Sequence, residues 1–270
     1  MYKASLIISF YKKIEFLKPV IDSLMFQSEK NFEVIISDDG SPDEIVRQVK
    51  KILAKSDLNY QYVWHEDNGW RKNIILNKSV VQSKSDFLIF IDGDCILHKR
   101  FIEEHVRMAN RGVVRAGRRV NLSERVSEKI LAGAVSSHYY GIPILLELLP
   151  DSLRNKAKDV EQGIYIKSRW LRSFLNDKDK SIKGCNFSIF RQDLMEVNGY
   201  DERYNHPSLG EDTDLEARLR RNGVKFLGIR NQAIQYHLYH HQLSRHGNNI
   251  DIYNGNNRNG VTYTSFGINQ

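Results

Sequence analysis

Hydrophobic positions in the first hundred residues alternate between two spacings. Ser5-Leu6-Ile7-Ile8-Ser9-Phe10 is a short, mostly apolar run, after which Phe16, Leu17, Val20, Ile21, Leu24 and Met25 recur three and four residues apart, the period of one helix face. This predicts a strand followed by an amphipathic helix. Phe32-Glu33-Val34-Ile35-Ile36-Ser37 repeats the strand signal, Asp38-Asp39-Gly40-Ser41-Pro42-Asp43 interrupts it, and Ile45, Val46, Val49, Ile52 and Leu53 return to helical spacing. Pro42 suits the first turn of that helix, where its missing N–H costs nothing. Tyr60 to Trp64 reads as a third strand, Ile74 to Val81 as a third helix, and Asp86 to Ile91 as a fourth strand ending in Asp92-Gly93-Asp94. Strands alternating with helices predict a parallel sheet covered by helices on both faces.

The rest of the chain is less regular. From Phe101 to about Ser181 the expectation is mostly helical. Gly184 to Phe190 returns to strand-like alternation, Gly210-Glu211-Asp212 opens a helix with Leu215 and Leu219 on one face, and 225–229 and 233–238 read as closing strands. The tail from Asn248 is rich in Asn and Gly, and its few apolar residues predict a loosely ordered or substrate-ordered segment. No internal repeat is visible, and no Pro-, Gly- or Ser-rich linker marks a domain boundary.

Composition narrows the class. With 41% hydrophobic and 27% charged residues over 270 positions, the chain can bury a large core, and disordered, collagen-like and disulfide-scaffold classes are excluded. The two cysteines, Cys95 and Cys185, read as small packing residues. The start Met1-Tyr2-Lys3-Ala4 has no signal-peptide pattern and no apolar run approaches a bilayer span, so the expected location is cytoplasmic, with peripheral contact at the inner membrane face as an option. The +7 formal charge invites a nucleic-acid reading. Between Lys99 and Lys129, nine basic residues face four acidic ones, but no aromatics interleave with them as a stacking platform requires, so nucleic acid is set aside.

Ligands in an open parallel sheet collect beyond the carboxyl ends of the strands, which is where the polar clusters fall. In Asp92-Gly93-Asp94 the two carboxylates, two residues apart on an extended segment, can face one divalent cation or its phosphate ligand. The ordinary alternative is a surface turn. Asp38-Asp39-Gly40-Ser41 fits either a carboxylate grip on a base or ribose, or an Asx turn with Ser41 as helix cap. Glu211 and Asp212 follow a loop, His206-Pro207-Ser208-Leu209-Gly210, of the kind that closes over a cleft, and supply a general-base candidate. Asp214 reads as a partner for the helix dipole. His237, in Tyr236-His237-Leu238-Tyr239-His240-His241, is either a surface histidine or a ligand completing a site begun by the aspartates.

Taken in order, Ser9-Phe10-Tyr11, Ser37-Asp38-Asp39-Gly40-Ser41, Gly69-Trp70-Arg71, Asn77, Asp92-Gly93-Asp94, Lys183 to Ser188, Asn198-Gly199-Tyr200-Asp201, Gly210 to Leu215 and His237 to His240 resemble a family 2 glycosyltransferase of the GT-A fold. The latter half resembles the galactosyltransferase-type segment of bacterial chondroitin polymerase domains. The resemblance implies a Rossmann-like, mostly parallel α/β sheet flanked by helices, with a helical insertion and a C-terminal acceptor-side segment. It implies a nucleotide-sugar-binding half over 1–98, an acceptor-binding and catalytic half over 99–245, and a polar tail over 246–270. It further implies metal-dependent, inverting transfer from a UDP-sugar to a hydroxyl of a glycan or lipid-linked acceptor in surface polysaccharide synthesis. The metal, Mn2+ or Mg2+, would be held by Asp94, His237 and Asp92. Asp212 would be the base, with Glu211 beside it. Ser9, Phe10, Tyr11, Asp38, Asp39, Arg71, Asn77, Asp92, Gly93 and Asn186 would bind the nucleotide sugar.

Two enzyme alternatives predict features the sequence lacks. A sugar-phosphate nucleotidyltransferase needs a glycine-rich loop after the first strand, and a dinucleotide oxidoreductase needs Gly-x-Gly-x-x-Gly there; Phe10-Tyr11-Lys12-Lys13 contains no glycine. A catalytically inactive UDP- or carbohydrate-binding module remains as the non-enzymatic alternative.

Overall fold

The computed structural model describes residues 1–176, 179–207, 211–241 and 249–269. Its first hundred residues follow the predicted alternation: β1 (Ala4–Phe10), α1 (Ile14–Leu24), β2 (Phe32–Asp38), α2 (Asp43–Leu53), β3 (Tyr60–Trp64), α3 (Lys72–Gln82) and β4 (Phe87–Asp92). Pro42 lies one residue before α2. The chain continues through β5 (Cys95–Leu97), α4 (Phe101–Arg107), β6 (Val113–Ala116), β7 (Val120–Asn121), α5 (Glu124–Leu131), α6 (Ile142–Leu153), α7 (Arg169–Asn176), β8 (Asn186–Phe190) and α8 (Arg191–Met195). It ends with α9 (Glu211–Arg221), β9 (Lys225–Gly228), β10 (Gln235–His237) and α10 (Asn249–Arg258).

Seven strands form one sheet in the order β3-β2-β1-β4-β8-β6-β9. The first four are parallel, β8 runs antiparallel between β4 and β6, and β9 is parallel to β6. Alternation along β1 divides the core. Leu6, Ile8 and Phe10 pack with α1 and α2 residues such as Leu17, Ile21 and Val49 on one face, while Ile7 joins Ile35, Phe90, Val80 and Leu215 on the other. The paired registers Phe10↔Asp38 and Ser9↔Asp92 bring the carboxyl ends of β1, β2 and β4 to one edge. A second sheet, β5-β10-β7, stands beyond that edge.

Two expectations need correction. The segment expected to be mostly helical contains the short strands β6 and β7, and β5 lies just before it. Strands of two to four residues are too short to show alternation, and their state is set by the neighbours they pair with. The asparagine-rich tail forms α10, which is held by polar tertiary bonds instead of an apolar face. Asn256 Nδ2 donates to Asp214 Oδ1 at 2.8 Å, and Asn249 Nδ2 to the carbonyl of His206 at 2.9 Å. Beyond α10, Thr264 Oγ1 donates to Asp201 Oδ2 at 3.0 Å and Asn269 N to Asn198 Oδ1 at 2.8 Å. Asp214 lies in the first turn of α9, where a helix-dipole partner is expected, and it is in addition buried and paired with Arg218 Nε at 2.7 Å, a guanidinium with no exposure at all. The expected tail's first residues, 246–248, and Ser208, Leu209 and Gly210 of the expected closing loop lie outside the described residues.

Candidate active site

Parallel register places Ser9 beside Asp92, and the Ser9 hydroxyl donates to Asp92 Oδ1 at 2.6 Å. Lys72 Nζ, from the first residue of α3, donates to the same oxygen at 3.0 Å. Gly93 is required by close packing of the backbone: its N–H donates to the Ser9 carbonyl at 2.8 Å, and a Cβ there would stand 2.9 Å from that oxygen. The chain then turns into β5, which pairs antiparallel with β10 in the register Cys95↔His237, and Leu238 N donates to the Asp94 carbonyl at 3.0 Å. That pairing carries the histidine cluster to Asp94. His237 Nε2 lies 3.4 Å and His240 Nε2 3.1 Å from Asp94 Oδ2.

Asp94, His237 and His240 each offer one ligand atom, and the three atoms lie within 4.8 Å of one another. One carboxylate with two imidazoles is a donor set that a first-row divalent ion accepts. The expected ligand Asp92 reaches the same cavity, with its Oδ1 accepting from Ser9 and Lys72, while the group that converges with Asp94 and His237 is His240. His240 was visible in the sequence as part of the histidine cluster. What the sequence did not show was the strand β5 that decides which histidines meet Asp94.

These groups line a cavity of about 1310 Å³ together with Glu211, Asp212, Gly184, Cys185, Arg119 and Trp70. Asp212 is fixed from behind: Gly184 N–H donates to its Oδ2 at 2.8 Å. Burial raises the Asp212 carboxyl above its ordinary range, opposed by the Lys72 ammonium. Burial, followed by repulsion from Asp212, pushes Glu211 up to about 7. For Lys72 burial opposes the charge, yet Asp92, Asp212 and Glu211 together hold it well above its ordinary value. Asp94 is likewise disfavoured by burial, and the hydrogen bonds from His237 and His240 more than offset this, leaving it well below the carboxylate range. Lys72 escaped sequence reasoning although it carries a signal, since a cation in the first turn of a helix opposes the dipole unless acids face it.

The other expected residues divide into two sets. Asp39 Oδ1 meets His65 Nε2 at 2.7 Å and its Oδ2 accepts from Arg71 N at 2.9 Å. His65 Nδ1 and Arg71 Nε are buried and have no partner among the described residues. Tyr11 is exposed and its hydroxyl donates to Asp67 Oδ2 at 2.8 Å. Asp38 makes the Asx turn: its Oδ1 accepts from Ser41 N at 2.9 Å and Ser41 Oγ at 2.7 Å, and Tyr62 donates to Oδ2. Phe10 belongs to the core. Asn77 and Asn186 are buried away from the cavity. Asn77 Nδ2 donates to the Tyr200 carbonyl at 2.8 Å, and Asn186 Nδ2 donates to the carbonyls of Arg118 at 2.8 Å and Ala233 at 3.2 Å. Both cysteines are free and buried, and Cys185 Sγ accepts from Arg119 Nη1 at 3.6 Å.

Residues 5–177 match the family model described as glycosyl transferase family 2, and residues 174–242 match that described as the N-terminal domain of galactosyltransferase. A chondroitin synthase of Pasteurella multocida (strain Pm70) is 23% identical over 218 residues, 76% of this chain and 21% of that protein. The Campylobacter jejuni GalNAc(5)-diNAcBac-PP-undecaprenol beta-1,3-glucosyltransferase is 29% identical over 219 residues, 81% of this chain and 60% of that protein. Among solved structures, the mannosyltransferase PcManGT from Pyrobaculum calidifontis, in complex with GDP-Man and Mn2+, superposes with a TM-score of 0.57 at 13% identity, covering 87% of this chain and 56% of that one. The chain thus spans about a fifth of the synthase and three-fifths of the glucosyltransferase.

Proposed function

The chain belongs to glycosyl transferase family 2 and has the GT-A architecture, and from that membership we propose that it moves a hexose from a UDP-sugar to a hydroxyl of a glycan or lipid-linked acceptor, with inversion, in surface polysaccharide synthesis. The observation that carries this reading is the place of Asp212. A half-buried carboxylate with a raised proton affinity shares one cavity with Asp92 and the Asp94–His237–His240 cluster, and its Oδ2 is anchored by the Gly184 N–H.

Asp94, His237 and His240 would hold a divalent cation, Mn2+ or Mg2+, which when bound offsets the negative charge that develops on the departing nucleoside diphosphate. Asp212 takes the proton of the acceptor hydroxyl as that oxygen attacks the anomeric carbon. Its raised proton affinity makes it a stronger base than a solvated carboxylate. Glu211, pushed up to about 7, retains its proton in part of the population at neutral pH and donates a hydrogen bond to a sugar hydroxyl. Lys72 keeps Asp92 ionised and balances the excess of acids in the cleft. Asp39, Arg71 and Tyr11 contact the uridine, with Ser9, Phe10, Asp38, Asp92 and Gly93 forming the floor beneath it. Asn77 and Asn186 act by holding the surrounding backbone. On this reading residues 1–98 hold the donor and 99–245 the acceptor and the base.

Asp212→Asn tests the assignment. The expected outcome is loss of transfer with UDP binding in manganese retained, and transfer at the wild-type rate would contradict the role given to Asp212.

A further inference from the structure

A ligand lying along the carboxyl edge of an α/β sheet meets the strands in their spatial order. β4 and β6 both pair antiparallel with β8, so they run in the same direction, and their ends share one edge with the start of β8. The order β3-β2-β1-β4-β8-β6 therefore sets Asp39, directly after β2, on one side of Asp92-Gly93-Asp94. Cys185, directly before β8, and Arg119, three residues past β6, stand on the other.

Arg119 is half-buried and lines the cavity that holds Asp92, Asp94 and Asp212. Its guanidinium is held at two points: Nε donates to Asn121 Oδ1 at 3.1 Å and Nη1 to Cys185 Sγ at 3.6 Å. Asn121 is itself fixed, its Nδ2 donating to Asp159 Oδ2 at 2.7 Å. The Cys185 thiol meets that of Cys95, whose Sγ donates to Asp94 Oδ1 at 3.3 Å, so one pair of thiols separates the guanidinium from the Asp94 carboxylate. Burial opposes the charge on Arg119, and Cys185, Cys95, Asp92 and Asp94 more than offset this. Yet among the described residues Arg119 has no carboxylate partner, and its Nη2 makes no hydrogen bond. The other cations of the cavity are engaged or exposed. Lys72 binds Asp92, and Arg125 binds Glu147 and Asp151, while Arg154, Lys156, Lys158 and Lys183 are exposed. A guanidinium withdrawn from solvent, fixed in orientation and lacking a carboxylate suits a phosphate, whose oxygens its planar fork matches.

A nucleoside diphosphate with its base at Asp39 and its metal at Asp94 points its distal phosphate along the edge toward Arg119. We propose that Arg119 binds that phosphate, whose oxygen leaves the anomeric carbon, as a fixed cation beside the metal site. The assignment rests on the sugar-transfer reading of the cavity. The charge that grows on the leaving oxygen meets a guanidinium already oriented by Asn121 and Cys185, which needs no reorganisation as the bond breaks.

The test is calorimetric titration of the full chain with manganese alone and then, in manganese, with inorganic pyrophosphate, UMP and UDP, for the wild type, Arg119→Gln and Arg119→Lys. Expected are affinities for pyrophosphate and UDP lowered at least about tenfold by Arg119→Gln and partly recovered in Arg119→Lys, with UMP, manganese alone and the thermal midpoint unchanged. Wild-type affinity of Arg119→Gln for pyrophosphate and UDP overturns the proposal. So does an equal loss for manganese and UMP, since Arg119 would then only prop Asp94 through the two thiols. Pyrophosphate binding that depends on Arg119, with UDP bound no more tightly than pyrophosphate, supports the phosphate site and contradicts the sugar-nucleotide reading. A wild type that binds neither overturns both.

Discussion

Gly184→Ala is a one-carbon change that reaches the proposed base without removing it. A Cβ on residue 184 would stand 2.5 Å from Asp212 Oδ1 and 2.6 Å from Oδ2. Ordinary contact begins at 3.4 Å, so the carboxylate must retreat by about 0.9 Å. The obstacle is the far end of a side chain and not backbone, so the fold can absorb the change, and the stability difference should stay within about 1 kcal/mol. Catalysis cannot absorb it so readily. A misplacement of about 1 Å at a reacting group costs on the order of 100-fold, or about 2.7 kcal/mol in the barrier. The assay is steady-state UDP release in the presence of acceptor, alongside calorimetric titration of UDP with manganese. The expected result is a kcat lowered about 100-fold with UDP affinity and thermal midpoint near wild type. A folded Gly184→Ala enzyme with wild-type kcat would refute the argument that Asp212, held by the Gly184 N–H, receives the proton.

Three further expectations rest on other parts of the molecule. Glu211, raised from 4.5 to about 7 by burial and Asp212, binds more protons folded than unfolded across that window; its contribution to stability is present below pH 4.5 and lost as pH rises through 7. Glu211→Gln should therefore flatten the fall in the metal-free thermal midpoint between these values, and parallel curves for the two proteins would contradict the shift. Arg218 is fully buried, bonded to Asp214 and to the carbonyls of Val197 and Gly199 at 2.8 Å, so Arg218→Ala should cost about 3–5 kcal/mol in urea unfolding by stranding a buried carboxylate; a loss below about 1 kcal/mol would count against the buried pair. Manganese at about 100 times its Kd should stabilise the wild type by about 2.7 kcal/mol, a rise of about 5 °C or more in thermal midpoint. His240→Ala should need at least about tenfold more metal for the same rise, and an unshifted titration would remove His240 from the metal site.

The chain's own patterning made the first hundred residues readable and left the rest obscure for physical reasons. Strands β1, β2 and β4 are buried on both faces and therefore spell continuous apolar runs, and the acids just after them mark the carboxyl edge of the sheet. The candidate metal cluster depends instead on β5 and β10, three residues each, too short for any periodicity. Their pairing, more than the local sequence around His240, brings that histidine to Asp94. Asp214 reads as a helix-dipole partner and Asn256 as part of a polar tail because nothing local announces that α9 and α10 pack together, burying both and setting Asn256 on Asp214. Lys72 was legible in principle, as a cation at a helix start, but only the structure shows the three acids that justify it.

Metal-dependent turnover of a UDP-sugar is the activity on which the proposed site is tested most directly. The direct measurement is UDP release from a panel of UDP-sugars by the wild type in manganese and in EDTA, with Asp94→Ala run in parallel. The expected result is release from at least one donor that EDTA abolishes and that Asp94→Ala lowers by about 100-fold, the scale of a lost electrostatic stabiliser of the leaving group. Release that persists unchanged in EDTA and in Asp94→Ala, or no release from any donor in manganese, would contradict it.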